Sequence, residues 1–186
     1  AIQIEERNGE LAGIAIDVES ERVYPQKSLA SHIIGYMGKI DENEYNSNKD
    51  VYKRDDYIGK TGVEKLFEKY LKGVNGTKEI DMSVDGTRTG EYTTKEAIGG
   101  SSIVLTIDAN LQYIAQRALE QNIKKIRAGG FGKKYNAQGG AVVVLNVKNG
   151  EVLAMASYPD YNPQEYIDGI TQEKLKQYNK NSALLN

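Results

Sequence analysis

Few residues in this 186-residue chain have the type and spacing to do chemistry, and each can be tested against the pattern its chemistry requires. Gly59-Lys60-Thr61 stands directly before a helical pattern and raises the idea of a phosphate-binding loop, in which glycine-rich backbone wraps the phosphates and lysine reaches them. That loop needs another glycine five residues before Gly59. Position 54 is Arg54 and no strong apolar strand precedes it, so these residues read as an ordinary helix N-terminus. His32, the single histidine, could act as a general base only beside a nucleophile and an orienting acid. No Asp or Ser can be set beside it from its neighbours in the chain, and it reads as a half-buried helix residue. The acidic stretch Asp41 to Asp56 lacks the alternating ligands, central glycine and final glutamate of a calcium loop, and reads as an exposed loop. Asn75-Gly76-Thr77 matches a glycosylation sequon but reads as a turn. Thirteen tyrosines against two phenylalanines and no tryptophan are scattered, which suits amphipathic packing at surface and core edge.

Composition narrows the function classes. The absence of cysteine excludes disulfide staples and thiolate metal sites, and one histidine leaves no histidine-based metal centre, so neither a metal nor a cofactor is expected. Net charge is −2 with both signs mixed along the chain, and no long Lys/Arg stripe supports a nucleic-acid partner. No apolar run approaches the roughly 18–20 residues that cross a bilayer. Charged residues follow Ala1 closely, so no signal peptide is expected; the chain is either cytoplasmic or separated from an upstream anchor.

The elements that would position any site follow from periodicity. Residues 10–19 alternate, with Ile14, Ile16 and Val18 on one face of a half-buried strand that Pro25 ends. Ser28 can cap a short helix carrying Leu29, His32, Ile33 and Tyr36, broken by Gly35 and Gly38. Thr61 to Leu71 predicts one helix with a Thr61/Glu64 capping box, an apolar stripe of Val63, Leu66, Phe67, Tyr70 and Leu71, and Gly73 as terminator. Lys78–Val84 and Thr87–Tyr92, joined at Asp85-Gly86, predict an exposed ribbon. Thr93 to Gly100 is the candidate domain boundary. Ser102–Ile107 predicts a strand, and Asp108 caps a long helix to about Arg127 that turns Leu111, Ala115, Ala118, Leu119 and Ile126 inward.

Two apolar runs, Ala141–Val147 and Glu151–Ser157, flank Asn149-Gly150, the preferred pair for a two-residue type I′ turn. Their unbroken apolarity predicts a hairpin meant to be covered on both faces. One face or edge is expected to be left open by this chain and packed by a neighbouring one. Pro159 and Pro163 are expected to keep the following segment extended, before a short helix over Thr171–Tyr178 capped by Thr171. The fold class is α+β: a β-rich pedestal with short helices, then a strand, long helix and hairpin.

Four of these segments together resemble a family. Arg22-Val23-Tyr24-Pro25 with LASHIIGYMG, IGKTGVEKLFEKYLKGVNG, LTIDANLQYIAQRALE and GGAVVVLNVKNGEVLAMASYPDYNP occur in the order seen in class B, monofunctional penicillin-binding proteins, most closely the elongation type. NSALLN at 181–186 resembles the approach to that family's active-site serine. The resemblance implies a membrane-proximal pedestal, or dimerisation domain, over residues 1–100 and the start of a transpeptidase domain over 101–186. It implies a parent enzyme that acylates its serine with a D-Ala-D-Ala stem peptide, passes the acyl group to a neighbouring amine, and binds β-lactams.

The chain departs from the pattern where the chemistry resides. No serine has lysine three residues later, no Ser-x-Asn follows, and the only Lys-Thr-Gly, Lys60-Thr61-Gly62, opens a helix instead of edging an active site. No catalytic residue is therefore expected, and the chain alone should be inactive. The resemblance further implies an extracytoplasmic location, cell-wall elongation partners on the pedestal, self-association, and an N-terminal membrane anchor absent from these residues. The competing reading is a stand-alone interaction module without enzyme activity. Against it, such a module would leave the apolar surface of Val142–Met155 uncovered. A phosphate-binding protein is a third reading, weakened by the failed loop spacing.

Overall fold

From Pro25 the backbone turns tightly, with Lys27 (φ 52°) and Ala30 (φ 55°) in the left-handed region. The elements that follow are α1 (Ser31–Ile34), β1 (Met37–Lys39), α2 (Glu42–Ser47), β2 (Tyr57–Gly59), α3 (Gly62–Leu66) and α4 (Glu68–Leu71). Then come β3 (Thr77–Met82), β4 (Arg88–Lys95), the long helix α5 (Ala109–Ala128), β5 (Gly140–Leu145), β6 (Val152–Tyr158), α6 (Gln164–Asp168) and α7 (Gln172–Lys180). This computed structural model describes residues 20–84 and 88–180. The expected strand with Ile14, Ile16 and Val18, the Asp85-Gly86 turn and the NSALLN segment lie outside the described residues. The α+β class holds: the strands form three antiparallel two-stranded sheets, β1-β2, β3-β4 and β5-β6, among helices.

The described residues fall into two compact units. One comprises Arg22–Glu68 together with the residues from Ile103 onward; the other is built on Lys69–Ser102. The second is the exposed ribbon expected from the alternation. β3 and β4 pair with Ile80 opposite Glu91, and a bridge between Val74 and Ile98 closes its base. Gly73, at φ 73°, ends the helical stretch before it, as its position predicts.

The first unit is organised by α5 lying on the hairpin. Asp108 accepts from the Leu111 amide at 2.8 Å, the expected N-cap, and Gly129 at φ 84° closes the other end. Alanines on both surfaces, Ala115 on the helix and Ala154 and Ala156 on β6, let helix and strand approach closely, and Leu111, Leu119, Val142 and Val144 fill around them. Ala118, expected to face inward, is exposed; Ile123 is buried in its place because the sheet is met by the Leu111–Ala115–Leu119–Ile123 side of the helix.

The hairpin leaves one face open within this chain, as expected: Val142 and Val144 turn to α5, while Val143, Leu145 and Met155 are exposed. Its turn departs from expectation, being longer than two residues. Gly150 is left-handed (φ 79°) but Asn149 is not, so a type I′ turn is excluded. The Asn146 side chain accepts the Lys148 amide and its carbonyl accepts the Gly150 amide at 2.8 Å, rolling Val147–Gly150 into a four-residue loop.

Other corrections have similar tertiary causes. Asp41–Asp56 is not all loop: Asp41 and Glu44 form a capping box that starts α2, and Tyr52 is buried. The predicted helix 61–71 is broken at Phe67, and Leu66 is 75% exposed, so the apolar stripe is not a single face. Neither half of the Thr61/Glu64 capping box forms: Thr61 makes no side-chain cap, and the Glu64 carboxylate bonds Arg22 and Tyr24 instead. Ser28 does not cap α1, which begins three residues later. Ser102–Ile107 joins no strand ladder among the described residues. Instead the Thr106 hydroxyl and Asp108 amide reach the Val152 and Leu153 carbonyls at 2.7 and 2.9 Å. The stretch after Pro163 is helical, its φ of −59° already suited to a first turn. Thr171 caps α7 as expected, accepting the Lys174 amide.

Candidate functional site: the joint around Glu64 and the α5 glutamines

Within the first unit, Arg22–Glu68 is fastened to α5, β6 and the residues after β6 by a dense set of polar contacts. Arg22–Glu68 is itself held together at the Glu64 carboxylate, which is 2% exposed. Arg22 donates to its Oε1 through Nε (2.7 Å) and Nη2 (2.6 Å), and the Tyr24 hydroxyl donates to the same oxygen at 3.2 Å. The Tyr24 hydroxyl in turn accepts the Met37 amide, tying β1 to the pair. A buried carboxylate is tolerable only when paired and hydrogen-bonded, which accounts for three donors around one residue. Burial, reinforced by the Glu64 charge, pushes the Tyr24 phenol well above its ordinary value, so it remains a donor.

Two glutamines one turn apart on α5 read backbone instead of side chains. The Gln112 amide accepts the Met155 N–H at 2.8 Å and donates to the Met155 carbonyl at 2.9 Å, replacing a neighbouring strand along the free edge of β6. Gln116 accepts the Ala30 amide at 2.9 Å and donates to the Ser28 carbonyl at 3.1 Å, holding the left-handed turn. Gln164 accepts the Tyr24 amide at 2.8 Å. Close packing completes the fastening: a Cβ on Gly35 (φ 81°) would lie 2.0 Å from the Thr61 carbonyl oxygen, so α1 and the start of α3 can touch only through glycine.

Tyrosines that are far apart in the chain gather here. Tyr36 stacks on Tyr166 at 3.8 Å, and both meet Tyr161 edge-on at 6.0 Å. Tyr178 stacks on Tyr166 at 6.2 Å, and its hydroxyl donates to Glu165. Tyr161 donates to the Ser31 carbonyl at 2.9 Å. His32 is half-buried as expected: its Nε2 donates to the Pro159 carbonyl at 3.0 Å and its ring meets Tyr161 edge-on. This role is structural.

The decoys also find their places. Lys60 pairs with Glu44, and its lysine-threonine-glycine triplet runs from the end of β2 into α3, opening a helix as expected. Glu68 accepts from the Tyr52 hydroxyl and the Gly59 amide, both at 2.8 Å. Among the described residues no group of three or more His, Asp or Glu could hold a metal, and no helix is long and apolar enough to cross a membrane. The pairing of Arg22 with Glu64 and the gathering of the tyrosines have no local sequence signature. The i, i+4 spacing of Gln112 and Gln116 on an otherwise apolar face was the available signal.

A joint of this kind performs no covalent chemistry; it fixes one segment of chain against another. Comparison with known proteins says in which architecture. A family model described as the penicillin-binding protein dimerisation domain matches residues 1–105, and one described as the penicillin-binding protein transpeptidase domain matches 140–184. The chain belongs to the penicillin-binding protein family.

Its relatives include the peptidoglycan D,D-transpeptidase MrdA of Acinetobacter baumannii, 31% identical over 87% of this chain and 22% of that protein. MrdA of Escherichia coli is 32% identical over 94% of this chain and 25% of that protein. The chain thus spans about a quarter of the length of these relatives. Among solved structures, a peptidoglycan synthase complex described for coordination of polymerization and crosslinking matches with TM-score 0.77 and 30% identity, over 99% of this chain and 32% of that one. Penicillin-binding protein 2 in complex with MreC from Helicobacter pylori matches with TM-score 0.62 and 28% identity, over 87% and 27%. This penicillin-binding protein segment therefore pairs a dimerisation-domain region with part of a transpeptidase domain, in the order read from its motifs.

Proposed function

We propose that this chain is the non-catalytic front of a D,D-transpeptidase that cross-links peptidoglycan in bacterial cell-wall synthesis. It sets the catalytic domain in position and presents surfaces to partner proteins. Residues 1–100 are the pedestal and 101–186 the beginning of the transpeptidase domain. The observation that supports this reading is the joint itself: Arg22–Glu68, within the dimerisation-domain match, is held by Gln116, Tyr161 and Gln164. A pedestal that must orient an enzyme needs many directed bonds to it, and hydrogen bonds to backbone give that direction.

The parent enzyme would carry its nucleophile beyond these residues, where a Ser-x-x-Lys is expected. The open hairpin face of Val143, Leu145 and Met155 would then be covered by further strands of the same domain. Cell-wall elongation proteins are the expected partners, supported by the likeness to a structure containing MreC, and the location is extracytoplasmic. No catalytic, cofactor or metal-binding residue is assigned to this segment.

Labelling with a fluorescent penicillin tests the proposal. The 186-residue chain should form no covalent adduct that survives denaturation, whereas the product of the gene extended through the next forty or so residues and the remaining domain should. Labelling of the short chain, or failure of the extended product to label, would refute it.

A further inference from the structure

The end of α5 carries a feature that the joint does not use. A cleft of about 380 Å³ lies between the last turn of α5, the loop after it and the end of β6, lined by Arg127, Asn136, Gln138, Tyr158 and Pro159. We propose that it binds a carboxylate carried on a short glycopeptide, the chemical unit of an uncross-linked peptidoglycan strand.

Three observations support an anionic occupant. Arg127 is anchored from one side: Nε donates to the Ala137 carbonyl and Nη2 to the Gln138 carbonyl, so the guanidinium is fixed while its remaining N–H groups take no partner among the described residues. A guanidinium held by carbonyls and no carboxylate keeps its full charge for a ligand, and its planar fork matches a carboxylate. Asn136 accepts from Gln138 Nε2 through its Oδ1. That contact directs the amide so that Asn136 Nδ2 is left as a donor and Gln138 Oε1 as an acceptor. The surrounding charge is one-sided as well. From Gln121 to Gly140, the stretch that leads through the cleft to the start of β5, there is no Asp or Glu, against Lys124, Lys125, Arg127, Lys133 and Lys134, in a chain whose net charge is −2.

Of the nearby carboxylates, Glu120 pairs with Lys124 at 2.6 Å, while Asp160 accepts from the neutral Gln116 amide and keeps its charge, leaving the balance around the cleft positive. Guanidinium, planar amides and a tyrosine together can meet a carboxylate, amide groups and a sugar face at once, and the cleft is of a size for about one sugar with its substituent. The carrier of the carboxylate rests on the transpeptidase reading. The anion-binding chemistry rests on Arg127 and Asn136.

The test is an NMR titration of the 186-residue chain at low salt with N-acetylmuramyl-L-alanyl-D-isoglutamine, with the same compound amidated at its terminal carboxylate, and with glucuronate as an unrelated sugar acid. The acid form should give saturable shifts at Arg127, Asn136, Gln138 and Tyr158, with weakening as salt rises. Amidation of the ligand and Arg127→Gln should each weaken binding about tenfold, and Asn136→Ala about threefold. Asn136→Ala keeps the test decisive if Arg127→Gln disturbs the loop. Absence of saturable shifts, equal binding of the amide, or indifference to Asn136→Ala would overturn the site. Glucuronate binding as tightly as the muramyl dipeptide would overturn the glycopeptide assignment. Failure of the transpeptidase reading would instead appear in the penicillin labelling, which this titration does not involve.

Discussion

Replacing Gln112 by methionine isolates the contribution of the strand-edge clamp. Gln112 is 1% exposed and serves both polar groups of Met155, at 2.8 and 2.9 Å. Methionine fills nearly the same volume, so the cavity term stays small and what is lost is hydrogen bonding. The Met155 N–H and C=O would each lose their partner in a part-buried position, at up to about 1–3 kcal/mol apiece. Allowing for partial repair by Gln116, which the Gln112 amide contacts at 3.2 Å, the expected loss is about 2–4 kcal/mol. Alanine should cost about 1–2 kcal/mol more, through the cavity. Because the described residues form two units, a global melting temperature would blend them, and amide exchange is the better assay. The Met155 amide should exchange about thirty- to several-hundredfold faster in Gln112→Met, while amides of β3 and β4 remain unchanged. An unchanged Met155 rate in a folded Gln112→Met protein would refute the idea that this glutamine substitutes for a missing strand.

Three other outcomes are expected. Arg22→Ala leaves the Glu64 carboxylate, 2% exposed, with only the Tyr24 hydroxyl; since the Arg22 side chain is itself 44% exposed, solvent screening reduces the loss to about 1–3 kcal/mol, read by urea unfolding of the first unit. Tyr161→Phe should cost about 1 kcal/mol by removing the bond to the Ser31 carbonyl, whereas Tyr166→Phe should be neutral or stabilising, because the Tyr166 hydroxyl is buried without a partner among the described residues; equal costs by chemical denaturation would contradict the assignment. The Tyr178 phenol is pushed up to about 12 by burial and by its bond to Glu165. A folded-state value raised above the unfolded one gives stability that is complete below about pH 10 and is lost between about pH 10 and 12. Stability should therefore fall over that window, and Tyr178→Phe should flatten the fall; a phenolate titration by ultraviolet absorbance locates it.

Much of the architecture was legible because it depends on local rules. Asp108 at an N-cap, Gly129 after the last turn, Thr171 before α7 and the alternation of β3 are written in a few adjacent residues, whose backbone preferences do not depend on distant neighbours. The same holds for the absence of Ser-x-x-Lys and for the order of segments that marked the family. Local rules misled where a side chain had a stronger distant option. Glu64 was spaced for a capping box, yet burial beside Arg22 and Tyr24 offers it charge-assisted bonds in a dry site, and the cap is forgone. Asn149-Gly150 was spaced for a two-residue turn, yet Asn146, three positions before Asn149, closes a wider loop.

What the chain alone determined is the family and those elements set by local caps and alternation, the long helix, the β3-β4 ribbon, the two hairpin strands and the last helix, since each is a matter of residue type and spacing along one dimension. Only the tertiary structure decided which polar groups meet. Tyr36, Tyr161, Tyr166 and Tyr178 are scattered in sequence and contiguous in space. Gln112 and Gln116 gain their roles only because the free edge of β6 and the turn at Ala30 come to lie within hydrogen-bonding distance of one face of α5. A hydrogen bond needs its partner within about 3 Å, and no spacing rule reaches across 86 residues to supply that distance.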